Sequence, residues 1–223
     1  MHVAALFSGG KDSVYAARLA EQRGHTVTTL VSLRSLNPDS YMFHTVNQHL
    51  TALQAEAWGK PLHVVETRGK KEKELTDLET ALSSLDVDGA VTGAIASNYQ
   101  RERVDAICMR LGIKHLSPLW GRERVGLVNE MLDAGMEIVF SAVAAHGLDA
   151  SWLGETLDHG RLDRLRLLSD RFGVDPCGEG GEYESLVLAA PWWSSRLVVE
   201  EAESTWDGSA GRYQVHRASL QNR

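Results

Sequence analysis

Six consecutive residues, Ser8-Gly9-Gly10-Lys11-Asp12-Ser13, follow directly on an apolar run at 3–7. A buried strand that passes through two glycines into a helix aims unpaired backbone amides and the positive end of the helix dipole at one spot, which makes an anion site. Lys11 adds a positive charge on a mobile stem, and Asp12 can hold a hydrated magnesium ion (Mg2+) against phosphate oxygens. The implied ligand is a polyphosphate, most economically ATP. The spacing excludes two common nucleotide loops. A Walker loop needs a glycine, four residues and then Gly-Lys followed by Ser or Thr, whereas here the glycines are adjacent and an aspartate follows the lysine. The three spaced glycines of the dinucleotide fingerprint are missing at this point too.

Three further stretches carry chemistry. S-L-N-P-D-S-Y-M-F-H-T at 35–45 reads as a long loop turning at Asn37-Pro38-Asp39. Its Met42 and Phe43 either wall an adenine or substrate or cap a sheet, and His44 is a phosphate contact, a base or a plain hydrogen-bonding residue. T-G-A-I-A-S-N-Y-Q-R-E-R at 92–103 enters a helix at Ser97. Gly93 would let a ligand approach the backbone. Gln100, Arg101 and Arg103 stand where the helix dipole disfavours cations, so they point to a phosphate or carboxylate partner unless the face is merely solvated. In P-C-G-E-G-G-E-Y-E-S at 176–185, Gly178, Gly180 and Gly181 alternate with Glu179, Glu182 and Glu184 around Tyr183. Such a loop presents acids that can bind a cation, coordinate magnesium or take a proton from an attacking amine, or it forms a structural turn. Cys177 beside it has no activating partner in sequence and reads as packing.

The elements that must position these groups alternate. Strands are expected at 3–7, 26–33, 62–66 and 89–92, and helices at 13–23, 45–58, 70–85 and 97–111, the last with Val104, Ile107, Cys108 and Leu111 on one face. The implied fold class is α/β, an open, mostly parallel Rossmann-like sheet covered by helices, with ligands outside the carboxyl ends of the strands. After 117–120 the character changes. Helices at 125–132 and 162–171, a strand at 137–143 and a hairpin of 197–201 with 212–216 suggest a smaller C-terminal α+β domain. The expected division is 1–118, the nucleotide-binding domain, and 119–223, the substrate-binding domain.

Composition bounds the function. With 223 residues, 43% hydrophobic and 24% charged, the chain can bury a substantial core. A net charge of −7 argues against a broad nucleic-acid surface, so no nucleic-acid partner is expected. The two cysteines form no CxxC pair, which disfavours a disulfide scaffold or a cysteine zinc site and fits a reducing cytoplasm. No charged leader precedes the first strand and no apolar stretch reaches membrane-spanning length, so a cytoplasmic protein without a membrane partner is expected. The oligomeric state is left open, a homodimer included.

Residues 8–13 resemble the pyrophosphate loop of the N-type ATP pyrophosphatases, the PP-loop enzymes that split ATP between its α and β phosphates. Together with 40–44, 93–103, L-S-P-L-W-G-R at 116–122, 142–154 and G-E-G-G-E-Y-E-S at 178–185, they make the chain similar to the diphthamide synthase (diphthine–ammonia ligase) family over most of its length. The resemblance implies an adenine nucleotide alpha hydrolase-like fold. It also implies a reaction in which the carboxylate of diphthine, a modified histidine of translation elongation factor 2, is adenylated by ATP and then amidated by ammonium, releasing AMP and pyrophosphate. Ser8, Gly9, Gly10, Lys11, Asp12 and Ser13, with Gly93 and Arg101, would then hold the nucleotide, Lys11 and Asp12 acting in catalysis and Asp12 holding magnesium. Glu179 or Glu182 would take the ammonium proton. Met42, His44, Tyr99, Trp120, Gly180, Gly181, Tyr183 and Glu184 would form the substrate side, with aromatic faces for its trimethylammonium group. Rival readings are a transfer-RNA-modifying or small-carboxylate ligase on the same loop, and a non-catalytic nucleotide-binding module.

Overall fold

The computed structural model describes residues 1–35, 46–67 and 71–222. They divide into two compact units, Met1–Glu56 with Lys60–Gly121 and Ala57–Gly59 with Arg122–Arg223.

The first unit follows the chain as β1 (His2–Leu6), α1 (Lys11–Gln22), β2 (Thr26–Ser35), α2 (Thr51–Trp58), β3 (Leu62–Thr67), α3 (Lys71–Ser83), β4 (Gly89–Val91), α4 (Asn98–Leu111) and β5 (Lys114–Leu116). Its five strands are all parallel, in the order β3-β2-β1-β4-β5. Strands buried on both faces need apolar side chains on both, and Val3, Ala4, Ala5, Val31, Ala90 and Val91 are almost wholly excluded from solvent. Leu78 and Leu82 of α3 and Val104, Ile107 and Cys108 of α4 pack on Ala4, Val31, Leu33 and Ala90, so the expected apolar face of α4 is the face that covers the sheet. Burial pushes the Cys108 thiol up to about 11, which leaves it inert as a nucleophile.

From β1 the chain builds outward to β2 and β3, then returns to β4 on the other side. The strand order therefore reverses between β1 and β4, and ligands of such sheets bind at the carboxyl ends of the strands at a reversal of this kind. The helix expected over 45–58 is shorter. Asn47 takes a left-handed conformation (φ 62°), which a right-handed helix cannot contain, and a 3-10 turn (Gln48–Leu50) leads into α2.

The second unit carries α5 (Arg124–Asp133), β6 (Glu137–Val143), α6 (His159–Phe172), β7 (Tyr183–Ala189), β8 (Ser195–Trp206) and β9 (Gly211–Asn222). Its antiparallel sheet has the order β7-β6-β9-β8. Glu123 caps α5 by accepting from the amides of Val125 and Gly126, and Asp158 caps α6 through Arg161 N. Phe140 meets Trp152 and Tyr183 edge-on at centroid distances of 5.1 and 5.0 Å in its core. Among the described residues no helix is long and apolar enough to cross a membrane.

Candidate active site

The 8–13 loop leaves β1 at the reversal point. Phe7 N still donates to Val31 O of β2 at 2.8 Å, and the chain then turns through Gly9 at φ +79° into Gly10, the extended N-cap of α1. Gly10 has no side chain, so the N-cap position makes no side-chain cap bond to α1. Serine hydroxyls shape the turn instead. Ser13 Oγ donates to Gly10 O at 3.0 Å and lies 3.2 Å from Ser8 Oγ, which itself accepts from Gly10 N at 3.4 Å.

Two contacts hold this turn from outside. Gln54, fully buried on α2, donates from Nε2 to Gly9 O at 2.9 Å, and a Cβ on Gly9 would fall 2.1 Å from Gln54 Oε1. A Cβ on Gly93 would lie 2.7 Å from the carbonyl carbon of Asp12 and 2.9 Å from Ser13 N. The close approach that Gly93 permits is thus that of the first turn of α1, where the sequence reading placed a ligand. Neither contact is visible in the sequence, because Gln54 reads as one polar residue on a helix.

Lys11 is 2% exposed and its Nζ lies 2.8 Å from Asp12 Oδ2. The other oxygen of that carboxylate, Oδ1, is buried with no hydrogen-bond partner. A buried carboxylate oxygen without a hydrogen-bond donor is a poor resting arrangement and a seat for a cation. Among the described residues no cluster of three His, Cys, Asp or Glu forms a cage of its own, so such an ion would be held by Asp12 together with ligand oxygens and water.

The start of α4 completes this edge. Ser97 accepts from Gln100 N as expected of a cap. The Arg101 guanidinium lies 4.4 Å from the centroid of the Trp120 ring and 3.6 Å from Asp105 Oδ2, and the Arg103 guanidinium lies 3.4 Å from the centroid of Tyr99. Of the three aromatic residues expected on the substrate side, Trp120 and Tyr99 each carry a cation from the chain itself on one ring face. Behind them stands a cluster that the sequence reading missed. Asp105, His115, Thr92 and Ser117 form a continuous hydrogen-bonded chain at the carboxyl ends of β4 and β5.

The acidic loop belongs to the second unit. Glu182 Oε1 accepts from Asp175 N at 3.2 Å and its Oε2 from Gly180 N at 2.8 Å, so this carboxylate braces the loop. Gly178, at φ +73°, and Gly181, at φ +86°, supply the left-handed turns the loop needs. Tyr183 is buried and donates its hydroxyl to Pro176 O at 2.7 Å, which places it in the core of this unit, away from any open face. Glu179 and Glu184 are partly exposed, and Gly180 and Gly181 are exposed. Cys177 donates its thiol to Arg124 O at 3.4 Å, consistent with packing. Met42 and His44 lie outside the described residues.

Residues 1–115 match the family model described as diphthamide synthase N-terminal domain, and residues 123–221 match that of the diphthamide synthase C-terminal domain. Diphthine–ammonia ligase of Rattus norvegicus is 38% identical over 228 residues, covering 92% of this chain and 85% of that protein. The Homo sapiens protein of the same name is 38% identical over 226 residues, 91% of this chain and 84% of its own. A solved structure titled as a predicted subunit of tRNA methyltransferase from Methanocaldococcus jannaschii aligns with a TM-score of 0.48 and 18% identity over 86% of this chain and 98% of that one, a likeness too weak to bear on function.

Proposed function

The chain belongs to the diphthamide synthase family and is a ligase that forms a carbon–nitrogen bond, and from that premise we propose that it amidates diphthine on translation elongation factor 2 with ATP and ammonium. The observation that carries this reading is the 8–13 turn, which enters α1 through a glycine N-cap at the point where the sheet order reverses, a geometry that suits phosphates.

The reaction runs in two steps. A carboxylate oxygen of diphthine attacks the α phosphorus of ATP, the bond to the bridging oxygen of the β phosphate breaks, and pyrophosphate leaves. Ammonia then attacks the acyl carbon of the mixed anhydride and displaces AMP. Charge grows on the leaving pyrophosphate in the first step, and preorganised donors aimed at that charge give the largest rate gain. The first-turn amides of α1 with Gly9 and Gly10 supply those donors, and Lys11 supplies a cation. Asp12 Oδ1 fits a magnesium ion, which when bound neutralises charge on phosphate oxygens. Gln54 and Gly93 hold the turn in shape, and Arg101, in the first turn of α4, binds a phosphate.

The acceptor side uses the acidic loop. Glu182 keeps the loop's shape, while Glu179 and Glu184 attract ammonium. In the first unit, Trp120 offers its ring to the trimethylammonium group once Arg101 moves off it. The protein works in the cytoplasm and needs no nucleic acid.

Incubation with ATP, ammonium and elongation factor 2 bearing diphthine tests this reading. AMP should appear together with the mass decrease of exchanging hydroxyl for amino on the protein. ADP as the nucleotide product overturns it.

A further inference from the structure

Thr92 stands one residue beyond Val91, which pairs with Ala5 of β1 on one side and Leu116 of β5 on the other. It directly precedes Gly93, whose α-carbon backs onto the first turn of α1. Thr92 is thus the chain neighbour of the residue that packs on the 8–13 turn, and it is 7% exposed. Its Oγ1 lies 2.8 Å from His115 Nε2, and Ser117 Oγ lies 3.1 Å from the same nitrogen. On the far side of the ring, His115 Nδ1 lies 2.6 Å from Asp105 Oδ1. The imidazole is nearly enclosed, at 5% exposure, whereas Asp105 is 48% exposed and also faces Arg101.

A carboxylate at Nδ1 assigns the ring proton to that nitrogen and makes Nε2 the acceptor. A hydroxyl whose proton points at a histidine oriented by a carboxylate is the arrangement that moves protons in enzymes. A purely structural tie between α4 and β5 would need only the Asp105–His115 contact, yet two hydroxyls converge on the other nitrogen.

We propose that Thr92 and His115 remove the proton from ammonium in the amidation step, an inference that rests on the function proposed above. One N–H bond of ammonium breaks and its electron pair stays on nitrogen, where it attacks the acyl carbon. The proton passes to Thr92 Oγ1 as that hydroxyl's own proton moves to His115 Nε2. The imidazolium so formed is balanced by Asp105 until the product leaves, and then gives the proton to water.

Hydroxylamine is largely neutral at neutral pH and needs no such removal, which separates a proton path from a structural tie. Rates with ammonium and with hydroxylamine are compared for the wild-type chain, His115→Gln and Thr92→Val. In His115→Gln the ammonium rate should fall about a hundredfold further than the hydroxylamine rate, and Thr92→Val should show the same split to a smaller degree. Equal loss with both nucleophiles, no loss with either, or the split in Glu179→Gln and not in His115→Gln each overturns the proposal. Exchange of labelled pyrophosphate into ATP, with the diphthine-bearing protein present, is measured alongside. Exchange without a split defeats the proton path alone, and absence of exchange in the wild-type chain defeats the underlying reading as well.

Discussion

Gln54 donates to the carbonyl oxygen of Gly9 at 2.9 Å, and the same side chain fills the space a methyl on Gly9 would need. The 8–13 turn is thus clamped by a helix that follows it by some forty residues. Gly9→Ala forces a left-handed backbone on alanine, at about 1–2 kcal/mol, and drives a methyl into Gln54. A fall of about tenfold or more in kcat/KM for ATP is expected, since each 1.4 kcal/mol is a factor of ten. Gln54→Ala should show a smaller fall in the same direction. Pyrophosphate release at varied ATP measures both.

Asp12→Asn keeps the shape of the side chain and removes the charge proposed to seat the cation. Pyrophosphate release should lose its saturable dependence on magnesium, and the residual rate should respond weakly to chelator. A magnesium titration of variant and wild type reads this directly. A variant with the wild-type magnesium curve would take Asp12 out of that role.

The Arg101 guanidinium occupies the Trp120 ring at 4.4 Å, so a trimethylammonium group must compete for that face. Trp120→Ala should weaken binding of the diphthine-bearing protein by up to about thirtyfold, the worth of a desolvated cation–π contact of about 2 kcal/mol, with ATP affinity nearly unchanged. Arg101→Met should shift the two affinities in opposite directions, tightening the protein substrate and weakening ATP. Equal loss of both ligands on Trp120→Ala would contradict this pairing.

The amides of Gly126 and Val125 hold the Glu123 carboxyl below the usual carboxylate range by bonding its charged form. A depressed folded value contributes stability above the unfolded value, and that contribution is lost as pH falls through the folded one. Glu123→Ala should therefore destabilise the chain by about 1 kcal/mol or less near neutrality, as expected for an exposed cap. The gap to wild type should close in acid. Denaturant titrations at neutral and acidic pH measure the difference.

The turn at 8–13 and its flanking strand were legible because glycine, lysine and aspartate at that spacing have few other uses. The rest hid for definite reasons. β5 is three residues long and begins with Lys114, too short for a periodic signal, and His115 and Ser117 were hidden with it. β7 begins at Tyr183 inside the acidic motif, where an aromatic reads as a ligand contact, although burial and Pro176 O claim it. The hairpin strands run for twelve residues each, more than twice the expected length, because the outer stretch of β8 is exposed on both faces and shows no alternation. Glu182 looked like a base among three acids, and only backbone geometry reveals that both its oxygens are engaged.

The central claim is that the 8–13 turn holds a departing pyrophosphate while a carboxylate becomes a mixed anhydride with AMP. Elongation factor 2 bearing diphthine with oxygen-18 in its carboxylate, incubated with ATP and ammonium, tests it most directly. One labelled oxygen should be recovered in the phosphate of AMP, in step with amide formation. Label found in inorganic phosphate with ADP as the nucleotide, or AMP free of label, would contradict it.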